Sequence, residues 1–109
     1  MNKNFNKKLS IVIPVFNEME SLEELNLRIT KALSGLSFDY EIVYIDDGST
    51  DNSFKILKKI KERNPKIKII QFRRNFGKSA ALNVAFKEAN GDLIITMDGD
   101  LQDEPTEII

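Results

Sequence analysis

Four short runs rich in β-branched and other apolar residues recur along the chain at intervals of about 25 to 30 residues, with helix-patterned segments between them. The runs are Leu9 to Val15, Glu41 to Ile45, Ile67 to Phe72 and Leu93 to Met97. Apolar runs this short, bounded by polar loops, suit strands of a parallel sheet buried on both faces. Between them, Glu20 to Ser34 places Leu22, Leu25, Ile29, Ala32 and Leu33 on one helical face. Asp51 to Arg63 turns Phe54, Leu57 and Ile60 inward, with a start at Ser49 or Asp51 and a stop at Asn64-Pro65. Gly77 to Ala89 is rich in alanine and ends at Asn90-Gly91. The expectation is an α/β fold, a Rossmann-like three-layer αβα parallel sheet. The units share no sequence motif, so this is not a solenoid.

The chemistry lies in the loops at the strand ends. After the first strand come Asn17 and Glu18; after the second, Asp46-Asp47-Gly48-Ser49. After the third come Arg73-Arg74-Asn75 and then Gly77-Lys78; after the fourth, Asp98-Gly99-Asp100. Right-handed crossovers bring all four strand ends to one edge of a parallel sheet. Ligands of open α/β sheets bind at that edge, where the strand order reverses. With the order 3-2-1-4 the reversal lies between the first and fourth strands, flanked by Glu18 and Asp98. Two carboxylates one glycine apart repel unless a positive charge sits with them. A hard divalent cation takes one or two carboxylates together with substrate phosphates. A lone pair of acids after a strand would more often cap a helix or solvate a loop.

Composition narrows the possibilities. The chain has 109 residues, which bounds it at one domain, with a polar tail over 1–8 and the folded part over 9–109. It contains neither cysteine nor histidine, so disulfides, thiolate zinc sites and imidazole bases are excluded from it. Any metal should be hard and held by oxygen, Mg²⁺ or Mn²⁺. The formal net charge of −1 favours no nucleic-acid partner. Its distribution is uneven: Lys55 to Lys78 carries ten bases against the single acid Glu62, whereas 90–109 carries only acids. The basic stretch follows helical periodicity and reads first as a solvated helix face. Leu9 to Phe16 mimics a short signal sequence, but Asn17 and Glu18 interrupt it with no cleavage site beyond. No stretch reaches the roughly 20 apolar residues of a membrane span. A cytoplasmic location is expected, at the inner face of the membrane through parts outside this sequence. An unfinished apolar sheet edge also favours pairing into a homo-oligomer.

Three motifs together resemble the family 2 glycosyltransferases of the GT-A fold. They are Ile11-Val12-Ile13-Pro14-Val15-Phe16-Asn17-Glu18, Ile45-Asp46-Asp47-Gly48-Ser49-Thr50-Asp51 and Met97-Asp98-Gly99-Asp100. The resemblance runs from Leu9 to Pro105. Arg73-Arg74-Asn75-Phe76-Gly77-Lys78-Ser79-Ala80-Ala81-Leu82 and Asp100-Leu101-Gln102-Asp103 look like the branch of dolichyl- and undecaprenyl-phosphate sugar synthases. Gly99 departs from the alanine usual in the family. The sequence covers about half of such a catalytic domain, its N-terminal, donor-binding part.

The resemblance implies a nucleoside pocket of Pro14, Phe16 and Glu18, with Asp47 reading the base and Asp46 a lesser contact. The residues agree in kind: a carboxylate accepts a base N–H, and an aromatic face suits a flat ring. By themselves, Asp46 and Asp47 read equally as an Asp-Gly turn, one capping and one binding. Asp100 and Gln102 would hold the metal, with Asp98 sharing it or turned to the ribose. Arg74 and Lys78 would meet phosphates, Lys78 at a helix N-terminus where anions are favoured. No catalytic base is identified. The implied reaction is inverting transfer of a sugar from a UDP- or GDP-linked donor to a polyprenyl phosphate, an acceptor already anionic. The alternatives are a family 2 transferase acting on a polysaccharide or other hydroxyl, and a nucleotide-binding fragment that catalyses nothing.

Overall fold

A computed structural model describes residues 7–35 and 39–99. In chain order the elements are β1 (Lys8–Val15), α1 (Leu22–Leu33), β2 (Asp39–Asp46), α2 (Ser53–Arg63), β3 (Ile67–Gln71), α3 (Lys78–Glu88) and β4 (Leu93–Thr96). Every strand and helix expected from the sequence is present, with ends shifted by two residues or fewer. The four strands form one parallel sheet in the order β3-β2-β1-β4. The reversal therefore falls between β1 and β4.

Side-chain alternation along each strand divides the core into two layers. Leu9, Ile11, Ile13 and Val15 of β1 join Ile42 and Tyr44 of β2 beneath α1 and α2. The face of α1 that packs there is Leu22, Leu25, Ile29, Ala32 and Leu33, the set marked by the helical period. On the other side Val12, Val43 and Ile45 meet Ala81 and Ala85 of α3. The small alanines let α3 lie close over the middle of the sheet.

Three details differ from expectation. Phe54 is only half-buried, its ring lying 5.6 Å from the Lys58 ammonium, and Ser53 takes the inward position beside Leu57 and Ile60. The N-cap of α2 is Asn52; Asp51 still serves the first turn, its Oδ1 accepting the Ser53 N–H at 2.8 Å. The fourth strand is not buried on both faces: Leu93 and Ile94 are exposed, at 52% and 40%. Among the described strands β4 is an edge, paired only with β1, and α3 packs over β1 and β2.

At the sheet edge away from the strand C-termini lies a buried polar knot. The Ser10 hydroxyl donates to Glu41 Oε2 at 2.5 Å, and the Asn90 N–H donates to the same oxygen at 2.7 Å. Gly91 N–H donates to Ser10 Oγ at 2.8 Å, and Lys68 Nζ stands 3.0 Å from Glu41 Oε1. A Cβ on Gly91 would collide with Ser10, so only glycine lets the turn before β4 approach this closely. Burial alone would raise the Glu41 carboxyl; the bonds from Ser10, Asn90 and Lys68 outweigh it and hold the group below its ordinary value.

Candidate functional site

The strand C-termini open into a cleft of about 450 Å³, lined by Pro14, Val15, Phe16, Glu18, Asp47, Asn75, Gly77, Lys78, Asp98 and Gly99. Its size falls within the range of small-ligand sites. Six residues singled out in the sequence, Pro14, Phe16, Glu18, Asp47, Lys78 and Asp98, meet there. They come from the C-terminal ends of all four strands and the segments that follow them, brought together because parallel strands end on one edge.

Each loop is held by its own hydrogen bonds. After β1 the chain turns through Asn17, which has φ 52°, a left-handed conformation that asparagine tolerates better than most residues. That turn points the Asn17 side chain at the loop after β2, where Oδ1 accepts the Thr50 N–H at 2.8 Å and the Asp51 N–H at 3.2 Å. In return, Asn17 N–H donates to Ser49 Oγ at 2.9 Å, and Glu18 N–H to the buried Ser53 Oγ at 3.0 Å. Met19 N–H donates to Asp51 Oδ2 at 3.3 Å. Burial would raise the Asp51 carboxyl, but the bonds from the Ser53 hydroxyl, the Ser53 N–H and the Met19 N–H outweigh it and hold the group below its ordinary value.

The two aspartates at the end of β2, Asp46 its last residue and Asp47 the next, divide the work by strand parity. Asp46 shares the face of Ile42 and Tyr44, is fully buried, and accepts the Ser49 N–H at 3.0 Å through Oδ1. It braces the turn after β2 but caps no helix, the N-cap of α2 being Asn52, and it does not line the cleft. Its Oδ2 is buried with no hydrogen-bond partner among the described residues. Asp47 projects the other way, into the loop after β3. Its Oδ1 accepts the Phe76 N–H at 2.8 Å; its Oδ2 accepts the Gly77 N–H and the Asn75 amide, each at 3.0 Å. A carboxylate offers about four acceptor positions, and these three bonds occupy most of them on a side chain that is itself buried.

Gly48, with φ +72°, makes this union possible: a Cβ there would run into the backbone of Arg74 and Asn75. Arg74 itself is exposed, with its guanidinium 4.6 Å from the centre of the Phe76 ring, and it is not among the cleft-lining residues. Phe76 also meets Phe72 edge-on at 5.6 Å. Phe16, by contrast, is 42% exposed on the cleft wall and is no core aromatic.

Across the cleft, Met97 N–H donates to Val12 C=O at 3.1 Å and extends the β1–β4 pairing. The Ser21 hydroxyl donates to Gly99 C=O at 2.7 Å, fastening the loop after β4 to the start of α1. Lys78, the first residue of α3, places Nζ 2.6 Å from Asp98 Oδ1. Asp100 and Gln102 lie outside the described residues. Among the described residues no cluster of three or more acidic groups could by itself hold a metal. The donor chemistry nevertheless fits a hard cation: Glu18 and Asp98 present carboxylates to one cleft, and a cationic group already stands against Asp98. Sequence reasoning did not single out the clamp of Asn17, Ser49 and Ser53, nor Asn75 and Gly77 as part of the wall. Asparagine two residues past the end of a strand is the signal that would have found the first.

A parallel sheet reversing between β1 and β4, with acids and one lysine around the reversal, defines a Rossmann-like GT-A fold of the nucleotide-diphospho-sugar transferase type. The chain belongs to glycosyl transferase family 2, whose family model matches residues 10–108. It is similar to S. aureus TarS 1–349, with 28% identity over 85% of this chain and 27% of that one, at a TM-score of 0.69. TarS 1–349 in complex with UDP-GlcNAc aligns at 31% identity over 85% of this chain and 26% of that one, TM-score 0.66. The fold is shared too with the mannosyltransferase PcManGT from Pyrobaculum calidifontis, in complex with GDP-Man and Mn²⁺. That match has a TM-score of 0.77 and 24% identity over 88% of this chain and 28% of the other. The chain thus spans roughly a quarter of the length of each of these structures.

Proposed function

We propose that the cleft binds the nucleoside diphosphate of a sugar donor, and that the chain is the donor-binding part of an inverting, metal-dependent glycosyltransferase. The observation that carries this reading is the convergence of Phe16, Asp47, Lys78 and Asp98 on one cleft at the strand reversal. Phe16 offers a ring for the base to lie against, and Asp47 an acceptor for a base N–H. Lys78 stands at the N-terminus of α3, where phosphate oxygens are favoured. Asp98 would hold Mg²⁺ or Mn²⁺ together with Asp100 and Gln102. Such an ion neutralises charge developing on a leaving diphosphate. The likeness to TarS bound to UDP-GlcNAc supports a uridine donor.

The proposed acceptor is a polyprenyl phosphate, used at the cytoplasmic face of a membrane. It rests on the match of 73–82 and of Asp100-Leu101-Gln102-Asp103 to the lipid-phosphate branch. An anionic acceptor needs no strong base, consistent with a segment that lacks histidine.

The test is calorimetric titration of the protein with UDP and with GDP, each with and without Mn²⁺. Metal-dependent binding of one nucleotide, lost in Asp98→Ala, supports the reading; binding of neither overturns it. Transfer assays offering polyprenyl phosphate beside a soluble hydroxyl acceptor then decide the acceptor class.

A further inference from the structure

The contact between Lys78 and Asp98 joins two groups that the nucleotide-sugar reading sends to different partners. The lysine belongs with the diphosphate and the aspartate with the metal, yet here Nζ and Oδ1 are 2.6 Å apart. Both side chains line the same cleft, and neither is deeply buried: Lys78 is 62% exposed and Asp98 33%. An ion pair this exposed contributes little stability and exchanges readily. The lysine stem is long and flexible, and its root is fixed at the first position of α3, so the ammonium can swing while the backbone stays still. Asp98 is fixed at its base, since the Met97 N–H pairs with Val12 and Gly99 C=O accepts from Ser21.

We propose that Lys78 is a built-in counter-cation for Asp98, displaced by the divalent ion when donor binds and handed over to the diphosphate. This rests on the nucleotide-sugar reading and deepens it. Before binding, ammonium and carboxylate cancel. After it, the divalent ion cancels the diphosphate, while Lys78 and Asp98 still offset each other through new partners. The exchange leaves the net charge of the cleft unchanged, and it makes metal and donor depend on one another. Metal alone must compete with an ammonium already in place. Donor arriving with metal gives that ammonium somewhere to go.

The test is titration of Mn²⁺ alone into the protein, with free Mn²⁺ read by electron paramagnetic resonance, for wild type, Lys78→Met and Lys78→Arg. Removing the competing charge should tighten Mn²⁺ binding by about two- to fivefold in Lys78→Met, the range of an exposed ion pair. Lys78→Arg, which keeps a cation, should stay close to wild type. In the same Lys78→Met protein the affinity for UDP or GDP with Mn²⁺ should fall. Unchanged or weaker Mn²⁺ binding in Lys78→Met overturns the exchange and leaves an ordinary surface ion pair. Failure of the wild type to bind either nucleotide would sink the donor reading, and with it the hand-over to the diphosphate, while the metal-only comparison would still decide whether Lys78 competes with the ion for Asp98. Because the side chain is exposed, the variants should fold, and thermal melts check that they do.

Discussion

Asp47 Oδ2 accepts the backbone N–H of Gly77 at 3.0 Å, so the residue just after β2 carries the first turn of α3. Through its other oxygen the same carboxylate holds Phe76 N–H. One side chain thereby sets where Lys78, the next residue along, enters the cleft.

Replacing this carboxylate by an amide is the sharpest probe of that role. In Asp47→Asn one backbone N–H faces an amide NH₂ in place of an oxygen. The expected cost is about 1–3 kcal/mol, that of a buried donor left unsatisfied. Urea unfolding measures it, and a shift well below 1 kcal/mol would mean the loop is held by other contacts.

Gly48 and Gly77 both have positive φ, but only Gly48 has backbone packed where a side chain would go. Gly77→Ala should lose only what the conformation demands, about 1–3 kcal/mol, since φ 103° with ψ 158° is a region held almost only by glycine. Gly48→Ala should lose clearly more, because Arg74 and Asn75 must move. Thermal melts of the two variants side by side provide the comparison, and equal losses would remove the steric argument.

Glu41 predicts acid sensitivity. Its carboxyl is lowered in the folded chain, so its contribution is present above the ordinary glutamate value of 4.5 and is lost as pH falls through the lower folded value. Glu41→Gln should therefore be less stable than wild type at neutral pH, with the gap closing on acidification. Denaturant titrations at a series of pH values reveal the trend; a gap that stays constant would show that the knot is held without its charge.

Phe16 separates binding from folding. Because its ring is 42% exposed, Phe16→Ala should leave stability within about 0.5 kcal/mol of wild type. Nucleotide affinity should fall by about 1–3 kcal/mol, the scale of a base stacked on an aromatic ring. Calorimetry with the preferred nucleotide reads the second number, and an unchanged affinity would take Phe16 out of the base site.

The helical face of α1 was legible residue by residue because a period of 3.6 leaves little freedom once Leu22, Leu25 and Ile29 are aligned. One crossover hand is enough to bring the four strand ends to a single edge, but not to choose a strand order: the order 3-2-1-4 is a supposition that goes with the family resemblance, and the sheet has it. The exposure of Leu93 and Ile94 was not legible, since an apolar run reads the same whether or not a neighbour covers it. The parting of Asp46 from Asp47 was legible in principle: counting by twos from Ile42 puts Asp46 under α1 and α2 and Asp47 on the other side. The Ser10–Glu41 knot escaped notice for a different reason. Two polar residues opening apolar runs look like strand ends until the register pairs Ser10 with Glu41.

Asn17 bonds to the Ser49–Asp51 segment through both its side chain and its backbone, although more than thirty positions separate them in the chain. Two walls of the cleft are thus riveted together before anything enters. A guest meeting such a surface does not have to organise it, so little of its contact energy is diverted into stiffening loops. Discrimination between one nucleobase and another can then rest on fit against a fixed outline, and a misshapen guest finds no compliant wall to accommodate it.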